Sequence, residues 1–151
     1  MADRWLSLHI GLVVCGLMGL SFSLLVAFSY LWQSHQIKTK HLDETFFHLP
    51  SLHLLDRIHF VSLTVSVVLF SLGLLSGAVW AQNIHEAKDA IKDPMVILSA
   101  VACLLYWLLL IARMSAMSQG TKVIMGTVLI SVLLVIGVVS SYCPMSLHRG
   151  F

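Results

Sequence analysis

Charge is scarce in this sequence. Asp, Glu, Lys and Arg make up 11% of its 151 residues, against about 25% in an ordinary soluble domain. The formal net charge is +2. No Lys/Arg cluster or aromatic-basic interleaving accompanies it, so nothing indicates a nucleic-acid partner. Cysteine is sparse too. Cys15, Cys103 and Cys143 all lie in apolar runs, with no C-x-x-C redox pair and no C-x-x-C-H haem-attachment step. They read as small packing residues. Nucleophile motifs such as G-x-S-x-G are missing. No apolar run places Asp, Glu, Lys, Arg or His near its centre, where a proton or ion path needs one. The expectation is a protein that is neither an enzyme nor an ion carrier.

What the chain has in plenty is apolar surface: 58% of residues are hydrophobic and the mean hydropathy is +0.92. The apolar residues gather in four runs, 5–32, 58–81, 95–112 and 123–143, each about long enough to cross a bilayer core. In hydrocarbon every backbone N–H and C=O must be satisfied within the segment, so such runs become helices. The predicted fold class is therefore all-α, an integral membrane four-helix bundle forming one domain over 1–151. The first run is about twice the length of a signal-peptide core and no small-residue cleavage site closes it, so it is read as a helix.

Packing signals follow the same pattern. Lipid gives helices no hydrophobic reason to associate, so small residues carry close approach. Gly11, Cys15, Gly19, Ser23 and Ala27 recur every four residues in the first run, and Gly73, Gly77 and Ala81 in the second. These two faces are expected to pack together. Trp5, Trp32, Trp80 and Tyr142 sit at run ends, where amphipathic rings settle at the interface. Tyr106 and Trp107, inside the third run, are assigned to packing.

Four spans put both ends of the chain on one side, together with the 82–94 connection. That side carries Arg4, Lys88, Lys92 and Arg149; the other carries Lys38, Lys40, Arg57, Arg113 and Lys122. Five cations against four make the second side the cytoplasmic one, with both termini outside the cytoplasm. The 25-residue connection 33–57 on that side holds His35, His41, His48 and His53 at spacings of 6, 7 and 5. No zinc pattern has those spacings, so these histidines read as solvated, and His59 likewise. Leu49-Pro50-Ser51 reads as a helix start, with Pro50 near the first turn and Ser51 as an alternative cap.

The opposite rim is more informative. His9 lies four residues into the first run, about 6 Å deeper than Trp5. His85 opens the 82–94 connection, and His148 follows Pro144 beyond the last run. Neutral imidazole is a good axial ligand for haem iron, and two on opposite faces give a six-coordinate low-spin centre. Zinc or copper would need further ligands, such as Glu86 or Met145. Trp80 could stack on a planar ligand, although an interfacial anchor is its commoner role. Spacing alone leaves two readings: a haem site, or three unrelated interfacial histidines, the commoner case.

From His9 to His148 the chain resembles the cytochrome c assembly family of haem-handling membrane proteins. Leu8-His9-Ile10 is similar to the family's leucine-histidine-valine step at the outer end of a helix. Tyr30-Leu31-Trp32-Gln33 with the basic 36–40 segment looks like its Y-L-x-Q…K-x-K. Leu49-Pro50-Ser51-Leu52 followed by Leu55-Asp56-Arg57-Ile58 resembles LPSL…LDRI. The segment 73–81 is similar to G-x-x-x-G-x-x-W-A, Asp93-Pro94 to the close of an external haem-presenting loop, and Leu147-His148-Arg149-Gly150 to a terminal histidine step. The resemblance implies haem as cofactor, His9 and His148 as its two axial ligands on the extracytoplasmic face, and His85 and Trp80 shaping the pocket. It also implies membrane lipid as the surroundings, a bacterial cytoplasmic (inner) membrane, and a membrane partner subunit, since longer relatives carry extra helices upstream. The chain departs from the family in two places. No tryptophan lies between Trp80 and Pro94, where the family's loop is rich in them and ends W-D-P-K-E, and 109–112 lacks the histidine often found there. The alternative is therefore a non-catalytic regulatory or scaffold protein of tetrapyrrole or cytochrome biogenesis that no longer binds haem.

Overall fold

The computed structural model describes residues 2–40, 50–83, 94–115 and 120–142. They form four helices: α1 (Ala2–Thr39), α2 (Leu52–Asn83), α3 (Pro94–Ser115) and α4 (Gly120–Tyr142). Each contains a segment long and apolar enough to cross a membrane. The expected all-α, four-span architecture is what the chain adopts.

The helices outrun the apolar segments. At 1.5 Å per residue α1 is about 57 Å long and α2 about 48 Å, against a hydrocarbon core of about 30 Å. The excess lies on the side away from His9, so the expected connection 33–57 is helical over 33–39 and 52–57. Hydropathy marks where a helix meets lipid, and the helix itself continues as long as its backbone bonds and a partner face persist. Thr39 caps the end of α1, its Oγ1 donating to the carbonyls of His35 (3.0 Å) and Gln36 (3.3 Å). Lys40, at φ 56°, then turns the chain out of the helix. Ser51 starts α2 as expected. Its Oγ accepts from the Leu54 N–H at 3.4 Å, and its carbonyl takes the first helical bond, from Leu55 N–H at 3.0 Å.

Successive helices run antiparallel and each packs on its neighbours, with α4 closing back onto α1. The α1–α2 contact is the most extensive, because glycines let the two backbones approach. A Cβ on Gly16 would lie 2.9 Å from the Phe70 nitrogen, and one on Gly73 would lie 2.8 Å from Val13 Cγ2. A Cβ on Gly19 would run into Ser66 Oγ. The expected small-residue stripe is half right. Ser23 and Ala27 are fully buried, but Cys15 is exposed and a Cβ on Gly11 would meet nothing within 4 Å. A spacing of four gains about 40° per step on a 3.6-residue helix, so the stripe winds off the contact. The true seam on α1 is His9, Gly16, Gly19, Ser23 and Ala27.

Two buried apolar clusters hold the bundle. One joins all four helices at mid-length through Leu20, Leu63, Val67, Phe70, Cys103, Tyr106, Leu110 and Ile130. The other, nearer the end away from His9, joins Val26, Ala27, Tyr30, Leu55 and Ile124. Hydroxyls cross-link the layers: Tyr106 with Ser131 at 2.7 Å, Tyr30 with Thr121 at 3.3 Å, and the Trp107 indole N–H donating to Ser71 at 2.9 Å. Tyr106 is thus the packing residue expected, and Trp107 stays partly exposed. Val13 and Leu74 pack against the first cluster on the side toward His9.

Candidate functional site

His9 leaves α1 on the seam and meets α2 where glycine removes the side chains. Its Nδ1 lies 2.7 Å from the Gly73 carbonyl oxygen. A carbonyl only accepts, so Nδ1 carries the proton and donates, and in the neutral ring the Nε2 lone pair stays available. The ring rests against Gly77: a Cβ there would lie 2.7 Å from Cε1 and Nδ1 and 3.4 Å from Nε2. The Nδ1–Cε1 edge is therefore the one facing α2, and Nε2 is the nitrogen farther from Gly77. Ser76 Oγ donates to the same Gly73 carbonyl, also at 2.7 Å.

This arrangement satisfies what an axial ligand needs. A metal-bound histidine typically anchors its second ring N–H on a carbonyl or carboxylate, which fixes the tautomer and the ring plane. His9 is partly buried, which suits a ligand that must be both held and reached. The residues described here thus fit haem as one half of an axial pair. Among the described residues no three His, Cys, Asp or Glu side chains come together; Glu86 and Met145 lie outside the described residues.

The other expected site residues divide into two groups. Trp80 is partly exposed and lies three residues beyond Gly77, on the helical face that receives His9. His85 and His148 lie outside the described residues. Sequence reasoning missed Gly73 and Ser76 as site residues. Gly73 was noted for packing and as part of the family's G-x-x-x-G-x-x-W-A step, but the i, i+3, i+4 grouping of Gly73, Ser76 and Gly77 opposite a histidine is a readable signal for a ring cradle.

It also missed a polar node at the far end. Arg113 of α3 pairs with Asp56 of α2, and the guanidinium lies 5.6 Å from the Phe60 ring centre. The N-terminus of α4 closes over the pair: a Cβ on Gly120 would lie 2.8 Å from both Arg113 Nη1 and Asp56 Oδ1. His59, one turn beyond Asp56, is buried, as are Gln33 and Gln36 of α1. The expectation of solvated histidines holds for His35 and His53, which are exposed, and is corrected for His59. Its correction follows from its place on α2: His59 lies between Leu55 and Leu63 at a spacing of four, on the face those two residues bury. His41 and His48 lie outside the described residues.

The four-span bundle agrees with the comparison against known families. The family model described as Cytochrome C assembly protein matches residues 1–148. No curated protein and no solved structure matches the chain. The chain belongs to the cytochrome c assembly protein family, a haem-handling membrane family, and its role lies in cytochrome c biogenesis.

Proposed function

We propose that this membrane protein presents haem at the extracytoplasmic rim, with Nε2 of His9 as one axial ligand and His148 as the other. The observation that carries this reading is the Nδ1–H donation from His9 to the Gly73 carbonyl at 2.7 Å, which leaves Nε2 as the free donor nitrogen. One feature supports it: Trp80 shares the face of α2 against which His9 packs. Bound haem would supply the group to be handed to an apocytochrome, and the chain's own residues hold and orient it without bond-making chemistry of their own. His85 and Trp80 would shape the pocket, and a membrane partner subunit would complete the handover. On this reading both termini face away from the cytoplasm of a bacterial inner membrane.

A second reading is favoured by one specific feature. The 82–94 connection contains no tryptophan, so it offers no aromatic grip on a porphyrin. The chain would then act as a non-catalytic regulator or scaffold of tetrapyrrole or cytochrome biogenesis. The visible spectrum of the detergent-purified protein separates the two. Haem presentation predicts a Soret band that His9→Ala combined with His148→Ala removes. Colourless protein that also fails to take up added haem would leave the scaffold reading standing.

A further inference from the structure

Ser76 differs from the other serines of this bundle in what its acceptor does. Ser62, Ser66 and Ser71 each donate to a carbonyl three or four residues back on their own helix, a common habit of serine in apolar helices. Ser76 does the same, bonding Gly73 at 2.7 Å, but that carbonyl also holds a histidine from α1. The Gly73 oxygen has two lone pairs. In a regular helix it also serves the Gly77 N–H, so up to three donors share it. Ser76 is 7% exposed, and its hydroxyl cannot readily turn to water instead. Gly77 closes the arrangement, because any Cβ there would displace the His9 ring.

We propose that Ser76 is a positioning residue that tunes His9: by competing for the Gly73 carbonyl it weakens the Nδ1–H bond and so limits how strongly Nε2 donates electrons. The physical link is polarisation through the ring. A stronger bond from Nδ1–H gives the imidazole more imidazolate character, which makes Nε2 a richer donor. Removing the Ser76 hydroxyl leaves the carbonyl more fully to His9. The inference deepens the haem reading of His9 and rests on it for its consequence, but the tuning itself belongs to the apoprotein.

The test is ring-nitrogen NMR on the full-length apoprotein in detergent, labelled at histidine with 15N, with His9→Gln assigning the His9 signals. The wild type is expected to show a pyrrole-type Nδ1 bearing the proton and a pyridine-type Nε2. Ser76→Ala is expected to keep that tautomer and move the Nδ1 proton downfield. Ser76→Thr, which retains the hydroxyl, is expected to match the wild type. Should Ser76→Ala fail to fold, Ser76→Cys keeps the volume with a weaker donor and is expected to shift the signal in the same direction by less. In haem-loaded protein Ser76→Ala is expected to lower the midpoint potential. A pyridine-type Nδ1 in the wild type, or an unmoved Nδ1 proton in Ser76→Ala, overturns the inference. The expected NMR response in a protein that takes up no haem supports the Ser76–His9 coupling and overturns the haem reading instead.

Discussion

Gly16 and Gly11 lie five residues apart on α1, and the same substitution at each should have opposite consequences. A methyl group on Gly16 would lie 2.9 Å from the Phe70 nitrogen and 3.0 Å from its Cα and Cβ. Those are mainly backbone atoms, so relief requires α1 and α2 to move apart rather than a side chain to rotate. A methyl group on Gly11 would meet nothing within 4 Å. The gain in helix propensity from glycine to alanine is about 1 kcal/mol at most. It is common to both sites, and it shrinks further where the unfolded chain stays helical in detergent. The difference between Gly16→Ala and Gly11→Ala therefore isolates the clash, roughly 1–3 kcal/mol by the usual cost of overpacking. That corresponds to about a fivefold to more than hundredfold difference in the folded-to-unfolded ratio. Reversible unfolding by SDS titration in mixed micelles, followed by tryptophan fluorescence, reads it directly. Equal stabilities for the two variants, within about 0.5 kcal/mol, would refute the α1–α2 seam and with it the placement of His9 on Gly73 and Gly77.

Further outcomes follow from the site and the far end. Gly77→Ala should displace the His9 ring, so haem uptake falls sharply while helix content by circular dichroism stays at the wild-type level; unchanged uptake would remove Gly77 from the cradle. Arg113→Ala should cost about 1–3 kcal/mol, because the side chains of the pair are only 16% and 27% exposed and Asp56 loses its partner. Adding Asp56→Ala should recover part of that loss, and strict additivity in the double-mutant cycle would deny the pair its coupling. His59 is buried with no hydrogen-bond partner at Nε2, so His59→Leu should be as stable as the wild type or more so. A loss above about 2 kcal/mol would reveal an ordered water serving that nitrogen.

How far the sequence could be read depends on which force writes each feature. The four spans were legible because lipid demands uninterrupted apolar helices, and 5–32, 58–81, 95–112 and 123–143 all fall inside or nearly inside the observed elements. The polar extension of α1 to Thr39 was not, because hydropathy registers lipid contact and is silent about helix beyond it; the start of α2 at Leu52 was legible only through the turn and cap residues before it. The seam was half legible: small residues do line it, yet a spacing of four led to Gly11 and Cys15, which turn away. His9 was legible as an ionisable group near a membrane rim. Its tautomer was not, since that depends on a carbonyl 64 residues away at Gly73. The Asp56–Arg113 pair, 57 residues apart, was hidden for the same reason, and so was the burial of His59, which depends on which face of α2 its neighbours cover.

The central claim is that His9 binds haem iron through Nε2 while Nδ1 stays on Gly73. The most direct measurement is the absorption spectrum of haem-loaded, detergent-purified protein, wild type against His9→Gly, with free imidazole then added to the variant. The account predicts a six-coordinate low-spin spectrum in the wild type, its loss in His9→Gly, and its return with imidazole occupying the vacated place. A wild-type spectrum that survives in His9→Gly without imidazole would contradict it.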